Sequence, residues 1–268
     1  MSPTEPVCLI TGASAGIGAA LAREFAKHGF ALVLSARREA NLQALAGEIA
    51  AAGQTRPVVI AADLSTPAGV AKLTEAMTLQ GLAPAFVVND AGFGLLGEAA
   101  ELDMARQLAM IDLNIRGLTD LTLRLLEGVK RQRGGILNVA SIAGFLPGVG
   151  MAVYHATKAY VLSFSEALHA ELAADGVRVC ALCPGPVETE FFGRAGIPEG
   201  FFPPSFARSA ERVAREGYQG LMAGHRVVAP GTPNRAVTLL PRLLPRGVML
   251  GATRSRWRRM NQRMNRGG

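Results

Sequence analysis

A tyrosine and a lysine lie four residues apart in the sequence Tyr154-His155-Ala156-Thr157-Lys158. Because residues i and i+4 share one face of a helix, this spacing predicts that the Tyr154 phenol lies beside the Lys158 ammonium. A nearby cation favours the phenolate, so we expect a pKa for Tyr154 below its reference value of about 10. Such a tyrosine is suited to general acid and base catalysis. The spacing alone is common and more often structural, so the prediction needs support from other motifs.

A glycine-rich turn follows the first apolar run of the chain. Residues 11–18 read TGASAGIG, after the apolar run at 7–10 and before a helix-like segment at 17–28. Glycine allows a backbone to approach a ligand closely, and a helix N-terminus offers unpaired N–H groups to a phosphate. After a first strand, the pattern predicts a pyrophosphate site. The same letters match G-x-S-x-G, the nucleophile elbow of α/β-hydrolases, but no candidate histidine lies in an obvious later loop.

Two arginines follow the second apolar run and bear on the type of dinucleotide. The run at 31–35 is followed by Ala36, Arg37 and Arg38, without an acidic residue. An acidic residue about twenty positions after the glycine-rich turn would bind the ribose 2′-hydroxyl of NAD. A guanidinium instead makes charge-assisted hydrogen bonds to a 2′-phosphate. Arg37 and Arg38 therefore favour NADP(H) over NAD.

The motifs together resemble the short-chain dehydrogenase/reductase family, in its standard-length, NADP-preferring form, over about residues 6–230. The segments that carry the resemblance, in chain order, are Thr11 to Gly18, Asn89-Asp90-Ala91-Gly92, Asn114, Ser141, Tyr154-x-x-x-Lys158 and Pro184-Gly185-Pro186-Val187-Glu188-Thr189. One position departs from the family pattern, which usually reads Asn-Asn-Ala-Gly. Asp90 stands at the second place, so the hydrogen bonds of that residue are in question.

The resemblance implies a role for each matching residue. Tyr154 would donate a proton to a carbonyl, and Ser141 would hydrogen-bond the substrate oxygen. Lys158 would hold the nicotinamide ribose and lower the Tyr154 pKa, and Asn114 would keep a water-linked proton relay in place. Asp63 would contact the adenine, and Asn89 would lie near the adenosine. The residues expected to bind the cofactor, with Tyr154 and Lys158, are Gly12, Ser14, Gly16, Ile17, Gly18, Arg37, Arg38, Asp63, Asn89, Gly92, Pro184, Gly185, Val187 and Thr189.

Short apolar runs alternate with helix-like segments along the chain, which predicts an α/β fold with a doubly wound parallel sheet of the Rossmann type. We expect one catalytic domain at residues 1–230 and a basic C-terminal extension at 231–268. Five of the eleven Phe fall at 191, 192, 201, 202 and 206, in a stretch broken by Gly and Pro. The resemblance implies a substrate lid after the Pro184–Thr189 loop, so we expect residues 190–207 to form an aromatic lid over a hydrophobic substrate, or else a satellite core or dimer contact.

The basic charge is concentrated near the C-terminus. The formal net charge is +7, and because residues 217–268 carry ten Arg and no Lys, Asp or Glu, the first 216 residues sum to −3. The segment from Arg254 to Arg266 includes Trp257, Met260 and Met264. It is compatible with peripheral contact to an anionic membrane or with a solvated, partly frayed extension. Contact with nucleic acid is the least favoured alternative.

Composition excludes several other classes. Hydrophobic residues make up 49% of the chain and charged residues 18%, which excludes a disordered protein. The three Cys and four His form no cluster with metal-ligand spacing, so we expect no metal. Cys180 and Cys183 form a C-x-x-C inside an apolar run, where strand geometry places them on opposite faces. The uncharged stretch at 134–157 contains Gly and Pro and predicts a strand, loop and helix start rather than a membrane span.

The sequence thus predicts a cytoplasmic oxidoreductase that transfers a hydride between NADP(H) and a hydrophobic carbonyl or alcohol, with reduction favoured. Family habit implies a homodimer or homotetramer that uses the helices at about 118–131 and 153–174. The alternative is a non-catalytic NADP(H)-binding sensor or scaffold, which would not need the intact Ser141, Tyr154 and Lys158.

Overall fold

The computed structural model describes residues 5–198 and 204–264. The strands in these ranges are β1 (Val7–Thr11), β2 (Ala31–Ala36), β3 (Val58–Ala61), β4 (Phe86–Asn89), β5 (Gly135–Val139), β6 (Arg178–Leu182) and β7 (Val227–Val228). They form a single parallel sheet in the order β3-β2-β1-β4-β5-β6-β7. The prediction of a doubly wound parallel sheet is confirmed.

Helices cover both faces of the sheet. They are α1 (Gly16–Lys27), α2 (Glu39–Ala51), α3 (Pro67–Leu79), α4 (Met104–Ile111), α5 (Leu118–Arg131), α6 (Ala152–Glu171), α7 (Glu190–Ala195), α8 (Ala210–Met222), α9 (Thr232–Leu243) and α10 (Arg246–Met264). A π-helical segment at Asp112–Gly117 joins α4 to α5. Capping residues define where helices begin. At the beginning of α3, the Thr66 side chain accepts a hydrogen bond from the Gly69 N–H, and Pro67 follows in the first turn.

Side chains alternate between two cores because successive strand residues point to opposite faces. On β1, Ile10 packs in a cluster with Phe25 of α1, whereas Leu9 packs in a second cluster with Leu121 of α5. All four side chains are fully buried. The two apolar faces hold the strand ends in a fixed row, and this row positions the site described below.

The two cysteines of the C-x-x-C sequence face opposite sides of the sheet, as predicted. Cys180 belongs to the core on the α1 side, and Cys183 packs among residues of α6. Both are free and buried. Burial raises the pKa of the Cys180 thiol to about 12, so it stays protonated and unreactive at neutral pH.

A polar network crosses the centre of the sheet. Asn89 and Asn138 stand opposite each other on β4 and β5. Asn89 Nδ2 donates to Asn138 Oδ1 at 2.8 Å and to Thr122 Oγ1 of α5 at 3.0 Å, and Asn138 Nδ2 donates to Ser165 Oγ of α6 at 2.9 Å. Each buried amide nitrogen therefore has a partner, and the bonds to Thr122 and Ser165 fix α5 and α6 to the strands, whereas Asn89 Oδ1 has no hydrogen-bond partner among the described residues.

The segment after Pro230 packs against the domain. Met249 and Trp257 of α10 are buried, and Trp257 Nε1 donates to Glu98 Oε1 at 2.8 Å. The indole lies on Gly150, where a Cβ would approach it to 2.2 Å. The interpretation of this segment as a solvated, partly frayed extension is therefore wrong for the packed part of α10 around Trp257, whereas contact of the Arg-rich segment with an anionic membrane stays a prediction. Within the described residues, no helix is both long and apolar enough to cross a bilayer.

We expect Asn138→Ala to lower the free energy of unfolding by about 1–3 kcal/mol, because the buried Asn89 amide loses its acceptor. Urea denaturation followed by circular dichroism measures this loss. Leu79→Ala is the control, since Leu79 is 89% exposed and the change there should stay within about 0.5 kcal/mol. A loss for Asn138→Ala no larger than that of the control would contradict the role of the network.

Candidate active site

A cavity of about 960 Å³ opens along the carboxyl edge of the sheet. The residues of its wall at or just after the ends of strands β1 to β6 are Gly12, Ala36, Ala62, Asp90, Val139 and Pro184. Strand order reverses between β1 and β4, and doubly wound sheets bind ligands outside the carboxyl ends of the strands at such a point. One half of the cavity therefore lies at the carboxyl ends of β1, β2 and β3, and the other half lies at the carboxyl ends of β4, β5 and β6.

The glycine-rich turn forms the floor of the first half. Gly12 has φ +70°, and a Cβ there would lie 2.8 Å from the backbone nitrogen of Ala91, so a side chain would not fit. The first turn of α1 carries no acidic residue, and no described side chain caps it. Its N–H groups are therefore available to a phosphate, and the turn fits a dinucleotide. Gly12, Ser14, Gly16 and Ile17 line the cavity, and their contact with a cofactor stays a prediction.

Gly18 does not line the cavity, contrary to its predicted contact with the pyrophosphate. A Cβ at Gly18 would lie 2.6 Å from both Asp90 Oδ2 and the Gly12 carbonyl oxygen. The glycine therefore allows α1 to pack closely against the glycine-rich turn and the loop after β4. Its place in the motif reflects packing rather than ligand contact.

Arg37, Arg38 and Asp63 also line the first half of the cavity. Arg38 Nη2 donates to Ser14 Oγ at 3.2 Å, and Arg38 Nη1 lies 3.1 Å from Glu190 Oε2 of α7. The guanidinium thus lies beside the glycine-rich turn and connects it to α7. A phosphate bound here would compete with Glu190 for Arg38.

Asn89 is directed away from the cavity. It is 3% exposed, and its amide nitrogen is bound to Thr122 and Asn138 inside the sheet. The predicted position near an adenosine is therefore wrong, because the last residue of β4 points into the layer of α5. Gly92, three residues later, does line the cavity.

Ser141, Tyr154 and Lys158 come together in the second half of the cavity. Tyr154 and Lys158 lie one turn apart on α6, with Lys158 Nζ 5.9 Å from the centroid of the tyrosine ring. Ser141 Oγ accepts from the Ala143 N–H at 3.1 Å and donates to the Pro184 carbonyl oxygen at 3.4 Å. Lys158 Nζ donates to the Val139 carbonyl at the end of β5 at 2.7 Å. The predicted trio is therefore assembled.

The expected lowering of the Tyr154 pKa is wrong for this structure. Burial raises the pKa of Tyr154 to about 12, the Ser141 hydroxyl opposes this shift, and Asp90 adds to it. Burial also lowers the pKa of Lys158 to about 8, against the attraction of Asp90. The Lys158 ammonium donates to the Val139 carbonyl rather than to the Tyr154 phenol. Burial therefore decides the direction of the shift in the Tyr154 pKa. The phenol is protonated at neutral pH.

Asp90 occupies the wall of the cavity in front of Lys158. Removal from bulk water raises the pKa of Asp90 to about 8, and both the charge of Lys158 and the Gly18 N–H oppose this shift. Its own backbone N–H donates to Thr11 Oγ1 at 3.1 Å. The residue that departs from the family pattern is thus a carboxyl group coupled electrostatically to Lys158 and Tyr154.

Asn114 lies behind Ser141, Tyr154 and Lys158 and is not among the residues that line the cavity. It sits in the π-helical segment, and its Oδ1 accepts from the Phe93 N–H at 3.1 Å. Its Nδ2 donates to the Phe93 carbonyl at 2.9 Å and to Thr157 Oγ1 at 3.1 Å. Both amide hydrogens are therefore used, which leaves the second lone pair of Oδ1 for a proton relay. Asn114 positions the loop after β4 against α6, next to Lys158.

The loop after β6 and the following aromatic residues form the outer wall. Pro184, Gly185, Val187 and Thr189 line the cavity as expected. Thr189 accepts a hydrogen bond from the Phe191 N–H and so begins α7. Of the five lid phenylalanines, Phe191, Phe192 and Phe206 line the cavity, and Phe201 and Phe202 lie outside the described residues.

The C-terminal segment supplies a wall that sequence reasoning missed. Val237 and Leu240 of α9, together with Thr253, Trp257 and Met260 of α10, line the cavity. The helical spacing of Met249, Thr253, Trp257 and Met260 was a usable signal, because such a stripe indicates a packed helix face. The abundance of arginine in the same segment obscured it.

A glycine-rich turn at the switch point, with a Ser–Tyr–Lys trio beside it, defines a dinucleotide-binding oxidoreductase. Comparison with known proteins gives the family, since the family described as short chain dehydrogenase matches residues 6–198. The chain is 37% identical over 188 residues to sulfoacetaldehyde reductase 2 of Chromohalobacter salexigens, covering 69% of this chain and 74% of that protein.

Two solved structures extend the comparison. A short-chain dehydrogenase from Sphingobium yanoikuyae in complex with NADPH is 32% identical, with a TM-score of 0.79 over 87% of this chain and 92% of that one. The bulky-bulky ketone specific alcohol dehydrogenase from Comamonas testosteroni is 26% identical, with a TM-score of 0.75 over 91% and 96%. The protein belongs to the short-chain dehydrogenase family of oxidoreductases, and the α/β-hydrolase alternative is excluded.

Asp90→Asn is expected to move the basic limb of the pH profile of carbonyl reduction to lower pH. Asp90 raises the pKa of both Tyr154 and Lys158, so without its charge both groups lose their protons at lower pH. We expect a shift of about one unit or less, which corresponds to about 1.4 kcal/mol at most. The measurement is kcat/KM against pH for both proteins; an unchanged or higher basic limb would contradict the coupling.

Proposed function

We propose that the protein is an NADPH-dependent carbonyl reductase that converts a hydrophobic ketone or aldehyde into an alcohol. The observation that carries the proposal is the assembly of Ser141, Tyr154 and Lys158 in the same cavity as the open N-terminus of α1. The raised pKa of Tyr154 favours this direction, since the phenol holds its proton at neutral pH.

Each side chain has a defined task in the proposed reaction. The nicotinamide, when bound, supplies the hydride. Tyr154 donates its phenolic proton to the carbonyl oxygen of the substrate, and the Ser141 hydroxyl hydrogen-bonds the same oxygen. Lys158 binds the nicotinamide ribose, and its charge stabilises the phenolate that remains after the transfer. Asn114 holds the loop after β4 in place and offers Oδ1 to a water that returns the proton.

The cofactor preference rests on charge near the end of β2. Arg37 and Arg38 line the cavity where β2 ends, and they are the first two residues after β2, ahead of Glu39. The acidic residue that the structure pairs with Arg38 is Glu190, which belongs to α7. The pair of arginines thus favours a 2′-phosphate, and the NADPH complex of the Sphingobium yanoikuyae relative supports the same choice.

The substrate class rests on the outer half of the cavity. Phe191, Phe206, Leu240 and Trp257 line it and would bury an apolar ligand, and Arg194, Thr253 and Arg256 line the same cavity. The relative from Comamonas testosteroni, which is specific for bulky ketones, supports a large substrate. Closure of α7 and its aromatic residues would exclude water from the reaction.

Assembly and location belong to the same proposal. Leu123 of α5 is 54% exposed and Tyr160 of α6 is 38% exposed, which supports a homodimer or homotetramer through these helices. The three described cysteines are free and buried, which fits a reducing compartment such as the cytoplasm.

Tyr154→Phe is expected to lower kcat by about 10²–10⁴-fold, the usual contribution of a general acid, while the Kd for NADPH changes little. NADPH fluorescence decay over a panel of hydrophobic ketones, aldehydes and quinones gives the rates. Tyr160→Phe is the matched control on the same helix, since the Tyr160 hydroxyl contacts Thr119 and lies outside the cavity wall. Near-normal turnover by Tyr154→Phe would refute the acid assignment, and tight NADPH binding without turnover of any panel member would favour the sensor.

Arg38→Asp is expected to reduce the ratio of kcat/KM with NADPH to that with NADH by about 10–100-fold, because a charged hydrogen bond is worth about 1.5–3 kcal/mol. Arg37→Asp should act in the same direction. Arg131→Asp on α5 is the control and should leave the ratio unchanged, since Arg131 is exposed and lies outside the cavity wall. A wild-type enzyme with equal rates or a preference for NADH would contradict the 2′-phosphate argument.

A further inference from the structure

An apolar surface lies on α9 and the first part of α10, and we call it the leucine face. Its exposed members are Leu239, Leu240, Leu243, Leu244, Val248 and Leu250. Leu243 is 76% exposed and Val248 is 56% exposed. Because Leu239 and Leu243 lie one turn apart on α9, they form a stripe that faces away from the domain. A cluster of large exposed apolar side chains of this kind marks an interaction site.

The same segment carries unneutralised positive charge. Arg246, Arg254, Arg258 and Arg259 are exposed, and none of them forms an ion pair within the part of the chain that the structure describes. Residues 217–268 carry ten Arg and no acidic residue, whereas the first 216 residues sum to −3. The leucine face therefore has exposed arginines beside it that would need negative charge from a binding partner to form ion pairs.

The charge distribution decides between the possible occupants. In an isologous contact between two copies, each leucine face would meet an identical one, and two C-terminal segments that each carry nine Arg and no acidic residue at positions 231–268 would oppose each other. A bilayer surface that contains anionic lipids provides both an apolar layer for the leucines and negative headgroups for the arginines. We propose that the leucine face docks the protein onto an anionic membrane surface, with α9 lying in the plane of the interface.

The substrate cavity reaches this surface. Leu240 lines the cavity and is also 37% exposed on the leucine face. Trp257 and Met260 of α10 point into the cavity wall, so the membrane contact uses the leucines and not the aromatic residue of the tail. Docking in this orientation places the α9 side of the cavity next to the lipid. The docking itself is independent of the reaction proposed above.

The test is co-sedimentation of the full-length protein with vesicles of phosphatidylcholine alone or mixed with phosphatidylglycerol, at low salt. We expect the wild type to bind the mixed vesicles at least about tenfold more tightly than the neutral ones, since basic side chains near the surface attract anionic lipids. Leu243→Gln with Val248→Gln should weaken that binding at least about tenfold through lost apolar burial. Arg246→Gln with Arg254→Gln should weaken it about 25-fold at low salt and less at high salt.

Matched controls replace exposed residues elsewhere. Leu79→Gln with Met104→Gln removes two apolar side chains that are 89% and 73% exposed, and Arg131→Gln with Arg215→Gln removes two exposed charges from α5 and α8. Both controls should bind like the wild type, and unchanged NADPH binding confirms that every variant is folded. Failure of the wild type to bind either vesicle, or equal losses in the control variants, would overturn the proposal. A second result would also overturn it: the wild type binds no vesicles, and Leu243→Gln with Val248→Gln elutes from size-exclusion chromatography as a smaller oligomer than the wild type. The leucine face would then be covered by a second copy of the chain.

Discussion

A buried ammonium is the constraint on which the site depends. Lys158 is 7% exposed and is held by the Val139 carbonyl at the end of β5. A cation in this position is favoured by nearby negative charge, and Asp90 supplies it from the loop after β4 once its own carboxyl, whose pKa burial raises to about 8, has ionised. Tyr154 lies one turn away and experiences both groups, so its proton is held in place by burial and by Asp90 together. The sheet makes this possible, because adjacent parallel strands end side by side and bring β4, β5 and α6 to one point.

The positions of residues just after the strands could be predicted from the sequence, because the carboxyl ends of parallel strands lie at one edge of the sheet. Gly12, Arg38 and Ser141 reached the cavity for that reason, and the spacing of Tyr154 and Lys158 on a helix brought them to one face. The direction of a side chain at a strand end was less predictable. Asn89 is the last residue of β4 and points into the sheet, where its amide is paired with Asn138. A motif gives the position of such a residue along the chain, whereas its contacts depend on packing across two other elements.

The direction of the Tyr154 pKa shift could not be predicted from the sequence either, because it depends on the balance of two opposing energies. Spacing alone indicates an attractive pair, since a cation near a phenol lowers its pKa. Burial acts in the opposite direction and can be read only from the folded chain, where Tyr154 is 9% exposed. The carbonyl of Val139 also takes the ammonium that the spacing assigned to the phenol. Long-range packing therefore decided which of two opposing effects is larger.

The two halves of the site come from different parts of the chain, and this limits what relatives can say about substrate. The family match covers residues 6–198, which include the glycine-rich turn and Tyr154. Val237, Leu240 and Trp257 lie beyond it and line the same cavity. Trp257 is fixed there by its hydrogen bond to Glu98 and by its contact with Gly150, where no side chain would fit. The glycine-rich turn and Tyr154 therefore lie where the family resemblance is strong, whereas part of the cavity wall comes from a segment that the family match does not cover.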